Sequence, residues 1–160
     1  ESKVNLKIFT CHSHAGSNYD FLLETQSENI HIDLSDNTGK NFSNYVKEMA
    51  RAKVIVCPLK LDKLSYCVGL STIADAMALG KPIIITTNPY HNITASEEKI
   101  GFTVSTQDEW LKTISIIESD DEMINTLGKN ALRLAETKYN IDICGQQILA
   151  KILAFTKSKE

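Results

Sequence analysis

Gly69, Leu70, Ser71 and Thr72 stand directly before an apolar stretch, and Asp75 follows about one helical turn later. If a helix starts at Leu70, the backbone N–H groups of Leu70, Ser71, Thr72 and Ile73 have no partner inside it. Such donors, together with the positive end of the helix dipole, attract phosphate. Gly69 lets backbone approach an anion without a Cβ in the way. The Ser71 and Thr72 hydroxyls can cap the helix or donate to a phosphate oxygen. Asp75 lies too deep to face a phosphate, which it would repel, but its carboxylate suits a pair of sugar hydroxyls. The pattern fits a pyrophosphate on the helix start with a ribose against Asp75. A plainer reading uses the same residues, with serine and threonine as caps and Asp75 as a solvated helix residue.

Other side chains with chemical potential lie in the neighbouring loops. Lys60 and Lys63 precede Gly69 and can offset diphosphate charge. Cys11, His12 and His14 cluster after the first apparent strand, and with His91 they have the ligand types for a metal of borderline softness. No tight second ligand pair accompanies them, so the expectation is that no metal is held. His12 is then a loop residue at a crevice rim, in reach of phosphate or sugar. Cys67 is a nucleophile only if a histidine lowers its pKa, with His91 the one neighbour by loop position; a plain thiol is the simpler reading. Leu34, at the end of the second strand with Asp33 and Ser35, falls where a nucleotide base would lie.

These loops need strands and helices to hold them. Val4–Cys11 and Asn29–Leu34 read as strands, and Tyr19–Thr25 reads as a short helix. Phe42, Tyr45, Val46, Met49 and Ala50 recur at helical spacing behind a possible cap at Asn41. Lys53–Cys57 and Pro82–Thr86 are continuous apolar runs of the kind found in parallel strands covered on both faces. Leu70–Leu79 is a helix stopped by Gly80 and Pro82, and its Ala74, Ala76 and Ala78 permit close packing. Phe102–Ser105 is a last strand. Helices follow over roughly 107–118, 120–137 and 141–156, with capping boxes expected at Thr106/Glu109 and Ser119/Glu122. Trp110, Leu111, Ile114 and Ile117 read as a core stripe.

Alternating strands and helices define an α/β class: a Rossmann-like parallel sheet flanked by helices, in a single domain over 1–160 with the last few residues a tail. In such sheets ligands bind at the carboxyl ends of the strands, which is where Gly69–Asp75 would fall. The 160 residues carry 42% hydrophobic and 23% charged residues and a formal net charge of −3. That balance gives no reason to expect nucleic-acid binding. No apolar run approaches the roughly 20 residues of a membrane span. Four cysteines without a CxxC pair read as reduced thiols of a cytoplasmic protein, and the sequons at Asn41 and Asn92 read as chance matches.

The pieces VIVCP, GLST, DAMALGKP and IIIT resemble the nucleotide-sugar site of retaining glycosyltransferases with the GT-B architecture. ARAKVIVCPL, GFTV and LAETKYNID are similar to the flanking segments of that family. The resemblance implies the carboxyl-terminal, donor-binding half of such an enzyme, moving a sugar from a nucleoside-diphosphate sugar to an acceptor in surface-polysaccharide synthesis. It implies no cofactor. Its implied partners are the donor itself and an amino-terminal acceptor domain, through which the protein would meet a membrane peripherally; the isolated half would be inactive. Asp75 falls at the second acid of the family's pair, which holds the ribose hydroxyls, and Gly69, Leu70, Ser71 and Thr72 fall at the diphosphate-binding helix start. Cys67 stands where the first acid would be and cannot replace it as an acceptor, which leaves the transferred sugar to Tyr66, to backbone groups or to weaker contact. That departure keeps open a second class, a non-catalytic nucleotide-binding or protein-interaction module. A sugar-nucleotide epimerase would need converging carboxylates that the sequence does not offer.

Overall fold

The computed structural model describes residues 5–9, 30–33, 42–58, 71–87, 95 and 98–157. The chain divides into two compact units, Glu1–Met49 and Ala50–Glu160. In the first, β1 (Leu6–Phe9) and β2 (Ile30–Asp33) pair in parallel, with Leu6 opposite Ile30 and Phe9 opposite Asp33. The boundary between units falls inside α1 (Phe42–Arg51). The expected apolar stripe of α1 is narrower than its spacing suggests. Met49 is buried and Tyr45 and Val46 are half-buried, but Phe42 and Ala50 are exposed. Phe42 instead rests on Tyr45, with ring centroids 6.1 Å apart along the helix surface. The short helix expected over Tyr19–Thr25 and the cap at Asn41 lie outside the described residues.

The second unit is an α/β arrangement built on a three-stranded parallel sheet. β3 (Ile55–Cys57), β4 (Ile83–Thr86) and β5 (Gly101–Val104) lie in the order β3-β4-β5, with Ile55 opposite Ile83 and Ile83 opposite Gly101. The PIIIT run behaves as expected of a central strand: Ile83, Ile84 and Ile85 are each at most 1% exposed. The KVIVC run is covered less fully, since Val56 is 37% exposed. β3 ends the hydrogen-bonded order among the described residues, so it lacks a flanking strand there. Pro82 has no N–H to give, but its carbonyl accepts from Ile55 N at 2.9 Å, so the proline opens β4 without costing a ladder bond.

One face of the sheet is sealed by two helices. Ile84 and Val104 meet Ile117 of α3 (Gln107–Ser119) and Ile124 of α4 (Asp121–Thr137), with Val54, Phe102 and Trp110 packed around them. The fold is α/β with a parallel sheet, as the alternating pattern predicts, and is compatible with a Rossmann-like layout. The α3 stripe needs one correction. Trp110, Ile114 and Ile117 face inward together with buried Thr113, whereas Leu111 is 59% exposed. Positions 110, 113, 114 and 117 follow one helical face; 111 is rotated about 100° off it.

The third helical contact is set by glycines. α2 (Ser71–Ala78) ends in a left-handed residue, Gly80 at φ 62°, with Gly80 N donating to Met77 O (3.0 Å) and Lys81 N to Ala76 O (2.8 Å). That pair of bonds is the Schellman closure that a Gly-Lys-Pro stop permits. Gly128 in the middle of α4 then approaches this turn so closely that a Cβ on it would lie 2.5 Å from Gly80 O. Small residues line the contact, with Ala76 and Ala131 fully buried. Ala74 and Ala78, expected to share this packing, are exposed; they lie on the helix side away from Ile73, Ala76 and Met77. Gly101 is tighter still, its absent Cβ falling 1.9 Å from Ile83 O across the ladder.

The capping box at Thr106 is present: Glu109 N donates to Thr106 Oγ1 at 3.3 Å, and Glu109 Oε2 accepts from Ser105 N (2.6 Å) and Thr106 N (3.1 Å). The box expected at Ser119/Glu122 is not. Asp120 caps α4 instead, accepting from Met123 N at 2.8 Å, while the Ser119 hydroxyl donates back to Ser115 O and Ile116 O as the last residue of α3. A carboxylate one residue nearer the helix start is the stronger acceptor for a free N–H.

Two outcomes follow. Gly128→Ala gains helix propensity of about 1 kcal/mol but must push α4 off the Gly80 carbonyl, so chemical denaturation should show a net loss on the order of 1–2 kcal/mol. Gly101→Ala should lose more, because both clashing partners are backbone; equal or raised stability in either variant contradicts the close approach. The two backbone bonds hold the Glu109 carboxyl below its ordinary value of 4.5. Its contribution to stability is therefore fully present above pH 4.5 and disappears as pH falls through the lower folded-state value. Glu109→Gln should be less stable than wild type at neutral pH, and denaturation curves should show the gap closing in acid.

Candidate functional site

Because β3 and β4 are parallel, the connection that contains α2 crosses back from the carboxyl edge of the sheet to the amino edge. β3 ends at Cys57, α2 follows, and Gly80–Pro82 delivers the chain to the start of β4. Eight residues at 1.5 Å each cover about 12 Å, the length of these short strands. The helix is held by its buried stripe of Ile73, Ala76 and Met77. Ser71, Thr72 and Asp75 share the other side, at the i, i+3 and i+4 spacing that brings side chains together. Ser71 is exposed, and Thr72 and Asp75 are half-buried. The Asp75 carbonyl accepts from Leu79 N at 3.1 Å within the helix turn. Its carboxylate makes no hydrogen bond or ion pair with the described residues. The arrangement therefore offers two hydroxyls and an uncommitted acid on one flank of a helix start.

The rest of the described carboxyl edge is polar and chemically quiet. Cys57 ends β3 as a free, half-buried thiol, and burial pushes its pKa up from 9.0, the opposite of what a nucleophile needs. Thr86 is buried at the end of β4, and Thr87 N donates to Val104 O at 2.8 Å, fixing the exit of β4 against β5. Cys144, also free, places its Sγ 3.5 Å from Lys138 O.

Of the residues read from sequence as binding the nucleotide, Ser71, Thr72 and Asp75 are brought together. His12, Leu34, Lys60, Tyr66, Cys67, Gly69 and Leu70 lie outside the described residues, as do Cys11, His14, Lys63 and His91. Among the described residues no group of three histidine, cysteine or carboxylate side chains could hold a metal ion.

A concavity that sequence reading did not single out lies at the opposite, amino edge. It has a volume of about 550 Å³, with Lys53, Lys81, Asn125 and Lys129 around an apolar floor beside Gly80 and Gly128. Lys53 pairs with Asp121 at 2.6 Å, both side chains well exposed, so the pair adds little to stability. The lysines come from three separate elements, and no spacing in the chain announces their meeting. The groove follows from the glycine contact, which draws α4 onto the α2 turn and leaves a trough beside it. Ligands of open parallel sheets gather at the carboxyl edge, opposite this trough.

No protein-family model, curated protein or solved structure matches the chain. The functional reading therefore rests on residues and geometry. Among the described residues no helix is long and apolar enough to cross a membrane.

The raised thiol of Cys57 can be checked directly. Alkylation at that residue, followed by peptide mass, should be slow at neutral pH and still accelerating above pH 9.0. A rate that levels off below that value would mean the thiol is activated and belongs to the site chemistry.

Proposed function

We propose that this chain binds a nucleoside-diphosphate sugar at the carboxyl edge of its sheet, as the donor-binding half of a glycosyltransferase. The observation that carries the reading is the uncommitted carboxylate of Asp75 on the same flank as Ser71 and Thr72, one turn behind a helix start at that edge. In this reading the free N–H groups of the first turn of α2 hold the diphosphate. Asp75 accepts hydrogen bonds from the two ribose hydroxyls. The developing charge on the leaving diphosphate is stabilised by fixed amide dipoles that need no reorganisation during the reaction. Lys60, Tyr66 and Cys67, which precede α2 in the chain, are the sequence's candidates for offsetting the diphosphate charge and meeting the sugar. The resemblance of GLST and DAMALGKP to the donor site of retaining GT-B enzymes supports the same assignment.

The acceptor and the remaining catalytic groups belong to an amino-terminal domain of the GT-B kind, which would also carry any peripheral contact with a membrane and a growing surface polysaccharide. The isolated half binds donor without transferring sugar. The reading sets the reaction in the cytoplasm, in keeping with the free thiols of Cys57 and Cys144. The cysteine at position 67, where an acid would hold the donor sugar, favours the second reading, a non-catalytic nucleotide-binding or protein-interaction module that keeps the fold.

Thermal unfolding with UDP, GDP and ADP tests the site. A ligand at about a hundred times its Kd adds about 2.7 kcal/mol, raising Tm on the order of 5 °C for one of the three. Asp75→Ala should fold normally, having no partner to lose among the described residues, and should abolish that rise. No response to any diphosphate contradicts the reading. A rise that survives Asp75→Ala removes the carboxylate from the site.

A further inference from the structure

The trough at the amino edge of the second unit has the parts of a separate binding site. Its volume of about 550 Å³ falls within the range of roughly 300–1,000 Å³ found in pockets that hold small molecules. Leu79, Pro82, Ile124 and Leu132 give it an apolar lining, and Gly80 and Gly128 line it with backbone alone. Leu132 keeps 41% of its surface exposed. The charged part is mostly cationic. Lys53, Lys81 and Lys129 line the trough against a single carboxylate, Asp121, which Lys53 already engages at 2.6 Å. Lys81 and Lys129 make no ion pair among the described residues. Lys81 is half-buried at the closure of α2, and its N donates to Ala76 O at 2.8 Å. That bond and the following Pro82 hold its backbone, which gives the ammonium a fixed root from which to meet an anion.

We propose that this trough is a second ligand site, for a small amphipathic monoanion: an aryl or alkyl carboxylate whose apolar body lies on Leu79, Pro82, Ile124 and Leu132 and whose charged group meets Lys81 and Lys129. Charge, lining and size select this class together. Three lining ammonium groups against one carboxylate leave a net of two positive charges, so the trough attracts an anion and repels a cation. The apolar lining sorts among anions. A bare phosphate would leave it wet, and a sugar nucleotide, polar along its diphosphate and sugars, has little to lay on it. The volume suits a molecule of drug size rather than the face of another protein. The site is independent of the donor site proposed at the carboxyl edge, and each can fail without the other.

Amide chemical shifts of the isotope-labelled chain, followed while 2-naphthoate is added, measure this. Lys81, Asn125, Lys129 and Leu132 should move together along one saturating curve, with a Kd of about 1 mM or tighter for a ligand of this size. 2-Naphthamide has the same rings without the charge, and inorganic phosphate has charge without the rings; each should bind about tenfold more weakly. Lys81→Gln combined with Lys129→Gln changes two side chains that have no ion-pair partner to lose among the described residues. It should weaken 2-naphthoate binding about fivefold. Asp121→Asn frees Lys53 and removes the one negative charge of the lining, so it should tighten binding about threefold. No saturating movement of these residues overturns the proposal. So does equal binding of the amide or of phosphate, an affinity indifferent to the two lysines, or weaker binding in Asp121→Asn.

Discussion

The approach of Gly128 to the Gly80 carbonyl decides how α2 and α4 meet in the second unit. A Cβ on Gly128 would come within 2.5 Å of that oxygen, so α4 can rest on the α2 turn only because Gly128 carries no side chain. The contact does two things at once. It pins the amino edge of the sheet, where Gly80 turns at φ 62° into Lys81 and Pro82. It also fixes the carboxyl end of α2, and a helix of eight residues is stiff enough that fixing one end aims the other. Ser71, Thr72 and Asp75 lie along the side of α2 away from the buried Ile73, Ala76 and Met77.

The two edges differ in chemistry. The amino edge has cationic side chains over an apolar trough, with one of the cations already engaged by Asp121. Beyond the carboxyl ends of the strands, the described residues include the Ser71 and Thr72 hydroxyls and the Asp75 carboxylate, which makes no hydrogen bond or ion pair among the described residues. A bare anion would find charge at the first. A diphosphate joined to a ribose needs amide donors for one part and an acceptor for the other, the combination that the start of α2 and Asp75 would supply. The tether between α4 and the segment before β5, where Asn130 Nδ2 donates to Lys99 O and Lys138 pairs with Glu98, keeps β5 in register and the sheet edge fixed.

Much of this layout is legible in the chain because it is local. Two short β-branched runs mark strands, a Gly-Lys-Pro sequence marks the end of a helix, and Thr106 with Glu109 marks the start of another; each depends on residues within a few positions of one another. What escaped reading depends on distant partners. Nothing near Gly128 reveals that a carbonyl 48 positions earlier will occupy the space of its side chain. The choice of Asp120 over Ser119 as a cap turned on where α3 ended, a question of one residue. Leu111 looked like core because its neighbours are core, yet a helix turns by about 100° per residue and carried it into solvent. The candidate site was legible as a pattern, hydroxyls at a helix start with an acid one turn on, of which Ser71, Thr72 and Asp75 fall among the described residues. The lysine trough was not, because its members share no spacing.

The account stands on α2 presenting its amides and Asp75 to one ligand at the carboxyl edge. Amide chemical shifts of the isotope-labelled chain, followed while UDP is added, report on both edges of the sheet in one titration. The account predicts that Ser71, Thr72, Ile73 and Asp75 move together along one saturating curve while Lys81, Asn125 and Lys129 stay in place. Movement confined to the lysine trough, or no movement at the start of α2, would contradict it.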